Sequence, residues 1–183
     1  MKMTSILLGT AALVASTGLA FAAPMTAHHG KVKHGLKGVN RALSVLYDQN
    51  DSDDGIGIVS QNFESSFDAY DAQAADDFTV PAGDTWKIKE VDVTGVYFNG
   101  SGPSRDETVT FYKSKKGRPG KVVGESQTVA GDDNFGSYTI PVKAKLKGGK
   151  NGTTYWVSVV ANLDFLAGGE WGWENRTTTN GGP

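Results

Sequence analysis

From Ala42 onward, hydrophobic and polar residues alternate in short runs broken by glycine, proline, asparagine and aspartate, the texture of an antiparallel β-protein. The runs predict strands at 44–47, 56–62, 75–80, 85–98, 107–113, 122–129, 137–143 and 154–163. About eight strands at this spacing define an all-β fold, an antiparallel β-sandwich of jelly-roll type. Within Thr108-Val109-Thr110-Phe111-Tyr112, the period of two sends Val109 and Phe111 to the core and the threonines and Tyr112 to the other side. Along 85–98, Trp86 and Ile88 are out of phase with Val91 and Val93, which predicts a β-bulge near Lys89 and Glu90. Residues 155–161 are apolar at nearly every position and predict a central strand. Arg118-Pro119-Gly120 and Asp132-Asp133-Asn134 read as turns.

The first residues have a different pattern. Lys2, the apolar run Ile6 to Ala15 and the small residues of Ala20-Phe21-Ala22 predict a signal peptide, 1–22, cleaved after Ala22. The apolar run is about half the roughly twenty residues that span a bilayer, so no membrane span is expected after cleavage. The predicted destination is extracellular, at the cell surface or periplasmic. Residues 23–42 form a basic, glycine-interrupted leader or short helix in which Val32, Leu36 and Val39 begin an apolar stripe that Leu43 and Leu46 continue. This leader holds His28, His29 and His34, without the carboxylates or thiolates that would complete a metal site. The β-sandwich is expected over 43–176, with 177–183 as a disordered tail or truncation point.

Composition narrows the function. Loss of Lys2 with the signal leaves 17 basic residues against 20 acidic ones, a net charge of −3 that argues against a nucleic-acid partner. With no cysteine, an exported chain must be held by burial rather than by disulfides. The charges are segregated. Between Ala42 and Trp86 lie ten acids and no lysine or arginine, whereas 113–150 carries nine basic residues against Glu125, Asp132 and Asp133. Such blocks are either solvated faces that attract each other or, on the acidic side, a cation site. Ca²⁺ takes six to eight oxygens, and Asp48, Asp51, Asp53 and Asp54, with Asp76 and Asp77 further on, are the candidate ligands. Their spacing is not that of an EF-hand. Alternation sends one of the Asp76-Asp77 carboxylates inward, where it needs a partner or a metal.

No histidine or cysteine follows Ala42, which leaves the body without Ser-His-Asp, Cys-His and common zinc hydrolase sites and predicts a non-enzymatic protein. The surviving alternative is a carbohydrate-active enzyme using two carboxylates. Trp171 and Trp173, two apart on a strand, share one face that would either stack on a ligand's sugar rings or cap the core.

The order Leu46-Tyr47-Asp48-Gln49-Asn50, Ser60-Gln61-Asn62-Phe63-Glu64 and Gln73-Ala74-Ala75-Asp76-Asp77-Phe78-Thr79-Val80-Pro81-Ala82-Gly83, followed by Trp86, Gly95 and Tyr97, resembles a jelly-roll module of bacterial secreted and surface-anchored proteins. Phe111-Tyr112, Arg118-Pro119-Gly120, Tyr155-Trp156-Val157-Ser158-Val159 and Trp171-Gly172-Trp173 extend the likeness over 43–174. The resemblance implies an accessory, adhesive or uncharacterised extracellular module whose partner is a polysaccharide or a surface protein. Relatives of that kind continue past Trp-x-Trp into a closing strand. A chain without one is expected to leave an unpaired sheet edge and to self-associate through it.

Overall fold

The computed structural model describes Met3–Thr4 and residues 44–178. The expected cleavage site, the leader and its three histidines, and residues 179–183 lie outside that range. The chain is all-β. Its strands are β1 Met3–Thr4, β2 Tyr47–Asp48, β3 Asp53–Val59, β4 Gln61–Asn62, β5 Asp76–Val80, β6 Thr85–Val93, β7 Gly95–Phe98, β8 Asp106–Ser114, β9 Pro119–Val122, β10 Gln127–Val129, β11 Asp132–Asn134, β12 Ser137–Lys147, β13 Thr153–Asn162 and β14 Glu170–Arg176. A 3₁₀ turn at Ser65–Tyr70 and the short helix α1, Phe165–Gly168, interrupt them.

One sheet runs β11-β12-β6-β1-β2, a second runs β10-β8-β13-β4 with β5 on β13 and β9 on β8, and a third is β3-β14-β7. Thr94 separates β6 from β7 and so marks where the chain passes from the first sheet to the third. β13 pairs with β8 on one side and with β5 and β4 on the other, which makes it the central strand that its continuous apolar sequence predicts. Buried residues of the first two sheets meet in one core. Phe78 of β5 stacks on Trp86 of β6 with ring centroids 6.0 Å apart, and Val109, Phe111, Val157 and Val159 join the same cluster as Ile88, Ile140 and Leu146. Each such side chain, taken from water, contributes about 1.5–3 kcal/mol.

Three local expectations are corrected. The irregularity beside Lys89 and Glu90 is present, but β12 supplies the extra residue. The register steps from Pro141 opposite Glu90 to Ala144 opposite Ile88. Arg118-Pro119-Gly120 is not wholly a turn, because Pro119 already belongs to β9, which folds back on β8. Asp132-Asp133-Asn134 is a strand against β12, and the reversal falls on Phe135 and Gly136, both at positive φ. These segments are polar, and their pairing comes from tight hairpin geometry rather than from apolar burial.

β14 lies in the middle of its sheet, paired on both sides, between β3 and β7. Its position is held by Gln61. That side chain is fully buried. Its amide group donates to the carbonyls of Leu163 at 2.7 Å and Gly169 at 3.0 Å, and its Oε1 accepts from the Trp171 N–H at 2.6 Å. Trp171, also fully buried, donates from Nε1 to Gly136 O at 2.7 Å, and its ring lies against Gly95, where an added Cβ would stand 2.4 Å from Nε1.

Two substitutions test this joint. Gln61→Leu strands two carbonyls and one N–H, at about 1–3 kcal/mol for each group left unpaired. Gly95→Ala forces Trp171 from its seat, with an overpacking cost of about 1–3 kcal/mol. Urea unfolding followed by tryptophan fluorescence is expected to show the larger fall in midpoint for Gln61→Leu.

Candidate functional site

The candidate acids separate into two groups. Asp48, Asp51, Asp53 and Asp54 are exposed. Three of them are spent on short local bonds: Asp48 Oδ1 accepts from Asn50 N at 3.0 Å, Asp53 Oδ1 from Gly55 N at 2.8 Å and Asp54 Oδ1 from Ile56 N at 2.8 Å. Asx-type bonds of this kind shape the turn leading into β3. Among the described residues, no three histidine, aspartate or glutamate side chains stand together at metal-binding distance. The structure therefore does not unite the four loop acids with Asp76 and Asp77.

The loop has a different partner, one that adjacent sequence does not reveal. Arg176, at the end of β14, is buried and reaches back across the sheet. Its Nε donates to Gln49 O at 2.9 Å and its Nη2 to Asn50 Oδ1 at 3.3 Å, while Nη1 lies 3.6 Å from Asp53 and 3.9 Å from Glu174. A segment with no cation of its own takes one from a strand more than a hundred residues away. Thr177 extends the attachment by donating its N–H to Ser52 O at 2.7 Å.

Asp76 and Asp77 behave otherwise. Asp76 lies on the same side of β5 as Phe78 and Val80, facing the core. Asp77 goes to the opposite side and is buried as well, with 6% of its surface exposed against 4% for Asp76. One oxygen of Asp76 accepts the Asp77 N–H at 2.7 Å, but the Oδ2 atoms of both residues are buried without a hydrogen-bond partner. Trp156, opposite Asp77 in the ladder, has an unpartnered buried Nε1 too. Tyr47 and Gln49 complete the neighbourhood: the Gln49 amide donates to the Tyr47 hydroxyl, and the Tyr47 ring lies 6.1 Å from that of Phe78.

Desolvation pushes the Asp76 carboxyl up to about 8, and the neighbouring charge of Asp77 adds to the rise. Burial raises Asp77 as well. Tyr47 is driven to about 12, first by burial and then by the two carboxylates. The cluster therefore lacks positive charge, which either a proton or a cation would supply. Asp76 and Asp77 carry the hard oxygen atoms that Ca²⁺ takes, one on each face of β5.

A second polar cluster has its needs met. Glu107 is buried, and it accepts from Ser104 Oγ through Oε1 and from Gly131 N at 2.7 Å through Oε2. The Tyr97 hydroxyl bonds to those of Tyr138 at 2.6 Å and Asp133 Oδ2 at 2.9 Å, and accepts from Ser104 N at 2.9 Å. Desolvation raises Glu107, Tyr97 and Tyr138. With every carboxylate oxygen of Glu107 engaged, this network ties two loops together.

Trp171 and Trp173 are buried, with none and 3% of their surfaces exposed, so they cap the core and do not offer a flat face for stacking. Sequence reasoning missed Tyr47, Gln49 and Arg176. The signal available was polar residues within strands, which alternation alone cannot place inside or outside.

No family model matches this chain, and neither a curated protein nor a solved structure matches it.

Two results are expected. In metal-free protein, folded Asp76 holds a proton that the unfolded chain releases above about pH 4. Its contribution is fully present below that pH and is lost as pH rises through about 8, with a slope of up to ~1.4 kcal/mol per pH unit. Urea unfolding in EDTA at pH 5 and pH 8 measures it, and Asp76→Asn is expected to flatten the difference. Separately, Arg176→Ala removes the buried guanidinium from the Gln49 carbonyl and from beside Asp53 and Glu174. It is expected to lower stability by roughly 3–5 kcal/mol, read from the same unfolding curves.

Proposed function

We propose that this chain is an exported, non-enzymatic jelly-roll sandwich, a surface or adhesion module that binds a glycan or protein partner and is stabilised by Ca²⁺ at Asp76 and Asp77. The observation that carries the calcium reading is the buried, unpartnered Oδ2 of Asp76, with that of Asp77 buried and unpartnered on the other face of β5. Such atoms cost stability unless something satisfies them, and outside the cell Ca²⁺ is available at the concentrations that extracellular modules bind, about 10⁻⁴–10⁻³ M. A domain without cysteine gains most from such an ion, since no disulfide restrains its unfolded state.

The alternative of a carbohydrate-active enzyme needs an accessible pair of carboxylates. Asp76 and Asp77 are both covered, and a polysaccharide chain does not meet buried carboxylates in this conformation. The module reading is also the one that the likeness of Gln73 to Gly83 to bacterial surface jelly rolls implies.

The test is the melting temperature of the mature chain, free of tag histidines, in EDTA and in millimolar CaCl₂. At a hundred times the dissociation constant, binding adds about 2.7 kcal/mol, a rise of several degrees for a domain of this size. Asp76→Asn and Asp77→Asn are expected to abolish the rise, and Asp51→Asn to leave it. A melting temperature insensitive to calcium at about pH 9.5, well above the Asp76 value of about 8 so that a proton no longer competes, would remove the metal from this reading.

A further inference from the structure

The first sheet carries a concentration of positive charge on its outer side. Along β6, buried Trp86 and Ile88 alternate with exposed Lys87 and Lys89, and along β12 buried Val142 and Leu146 alternate with exposed Lys143, Lys145 and Lys147. The antiparallel register sets Lys87 directly opposite Lys145. Like charges on one rung stand about 5 Å apart and destabilise a sheet. None of these five lysines makes an ion pair with a described residue. Lysines also protect sheet edges from pairing with other chains. That role accounts for a lysine on either strand, but not for two that face each other.

The bulge gives this charge a shape. Where β12 carries its extra residue, the Gln127 side chain of β10 takes both polar groups of Lys143, accepting from its N–H at 2.8 Å and donating to its carbonyl at 3.2 Å. Beside this clamp lies a groove of about 960 Å³ lined by Lys87, Lys89, Lys143 and Lys145, with Val129 and Pro141 among its apolar walls. Alternate residues on a strand lie about 6.8 Å apart. The groove therefore presents ammonium groups from both strands above an apolar wall, with Lys87 opposite Lys145 and Lys143 at the bulge. Flexible ammonium groups suit a repeating anion that does not demand the fixed fork of arginine.

We infer that the groove across β6 and β12 binds an acidic polysaccharide, with Lys87, Lys89, Lys143 and Lys145 facing its carboxylates and Val129 and Pro141 lying against its sugar C–H faces. The inference rests on the binding-module reading, whose partner it names, and is independent of the cation at Asp76. Charge complementarity selects a polyanion. The predicted export selects a polysaccharide over nucleic acid, and the lack of a projecting aromatic or leucine among the groove residues sets it apart from a surface that inserts into lipid.

The experiment measures binding of the mature chain to polygalacturonate, to neutral dextran and to phosphatidylglycerol vesicles at low and moderate salt. Lys87→Gln/Lys145→Gln is compared with Lys115→Gln/Lys116→Gln, which removes the same charge from the β8–β9 hairpin. The groove pair is expected to weaken polygalacturonate binding roughly thirtyfold, at about tenfold or less for each lysine, and to flatten its salt dependence. The hairpin pair is expected to leave binding within about twofold. The melting temperature of the groove variant should hold or rise, because the facing charges are gone, so weakened binding cannot be mistaken for unfolding. Equal losses in both variants would reduce the effect to net charge and overturn the inference, as would vesicle binding that matches or exceeds that of the polymer. Binding to dextran but not polygalacturonate would overturn the acidic partner and leave the module reading standing. Binding to neither polymer would count against both.

Discussion

Gln61 joins parts of the fold that would otherwise have no reason to meet. Its amide reads the backbone on both sides of α1, at Leu163 and Gly169, and its carbonyl oxygen receives the N–H of Trp171, the second residue of β14. Three bonds of 2.6 to 3.0 Å in a fully buried setting make the group worth its desolvation. Because Gln61 sits on β4, which pairs with the end of β13, the same residue fixes where the chain leaves the central strand and where β14 begins. Trp171 is then delivered to the slot that Gly95 leaves open and bonds Gly136, which closes the β11–β12 hairpin onto the third sheet. Ser60, next to Gln61, repeats the device by donating to Val159 O at 2.6 Å and accepting from Ala74 N at 3.1 Å.

This explains what could and could not be read from the sequence. Apolar alternation identified β6, β8 and β12, since their inward residues are mostly apolar and their outward ones are not, and a continuous apolar run identified β13. Val109, Phe111, Ile88 and Val91 are buried as their phase requires. It failed where a polar side chain is the one that goes inside. Ser60, Gln61, Asp76 and Arg176 are all buried, and each breaks the rule that pattern reading relies on. Their partners are mostly distant: Gln61 bonds residues about a hundred positions away, and Arg176 bonds Gln49 across 127. Only a folded chain shows such pairings. Trp171 and Trp173 illustrate the opposite problem, because two tryptophans on one face look the same in sequence whether that face meets solvent or the core.

The segregation of charge has two separate structural outcomes. Among the described residues, the acidic segment between Ala42 and Trp86 forms no ion pair with the basic segment 113–150, and the cation it meets there is Arg176, held by the carbonyl of Gln49 and the side chain of Asn50, with Asp53 near it. The lysines are left to themselves, gathered by the β6–β12 register into a face with its own repulsion. Attraction between the two blocks therefore does not hold the fold together. A chain that tolerates unneutralised charge at a rung of its own sheet leaves that charge available to something else.

The buried polar groups of this domain reach three end points. Gln61 is satisfied by backbone and Arg176 by backbone and carboxylates, while Asp76 and Asp77 each keep one buried oxygen without a hydrogen-bond partner. The last state changes with the solution around it, because an unpartnered carboxylate oxygen is completed by a proton or by a cation and not by both. As pH rises through about 8, the proton's contribution to stability at Asp76 is lost. Dependence of the fold on its surroundings is thus concentrated at the head of β5, next to the strand that centres the second sheet and far in sequence from the lysine face on the first.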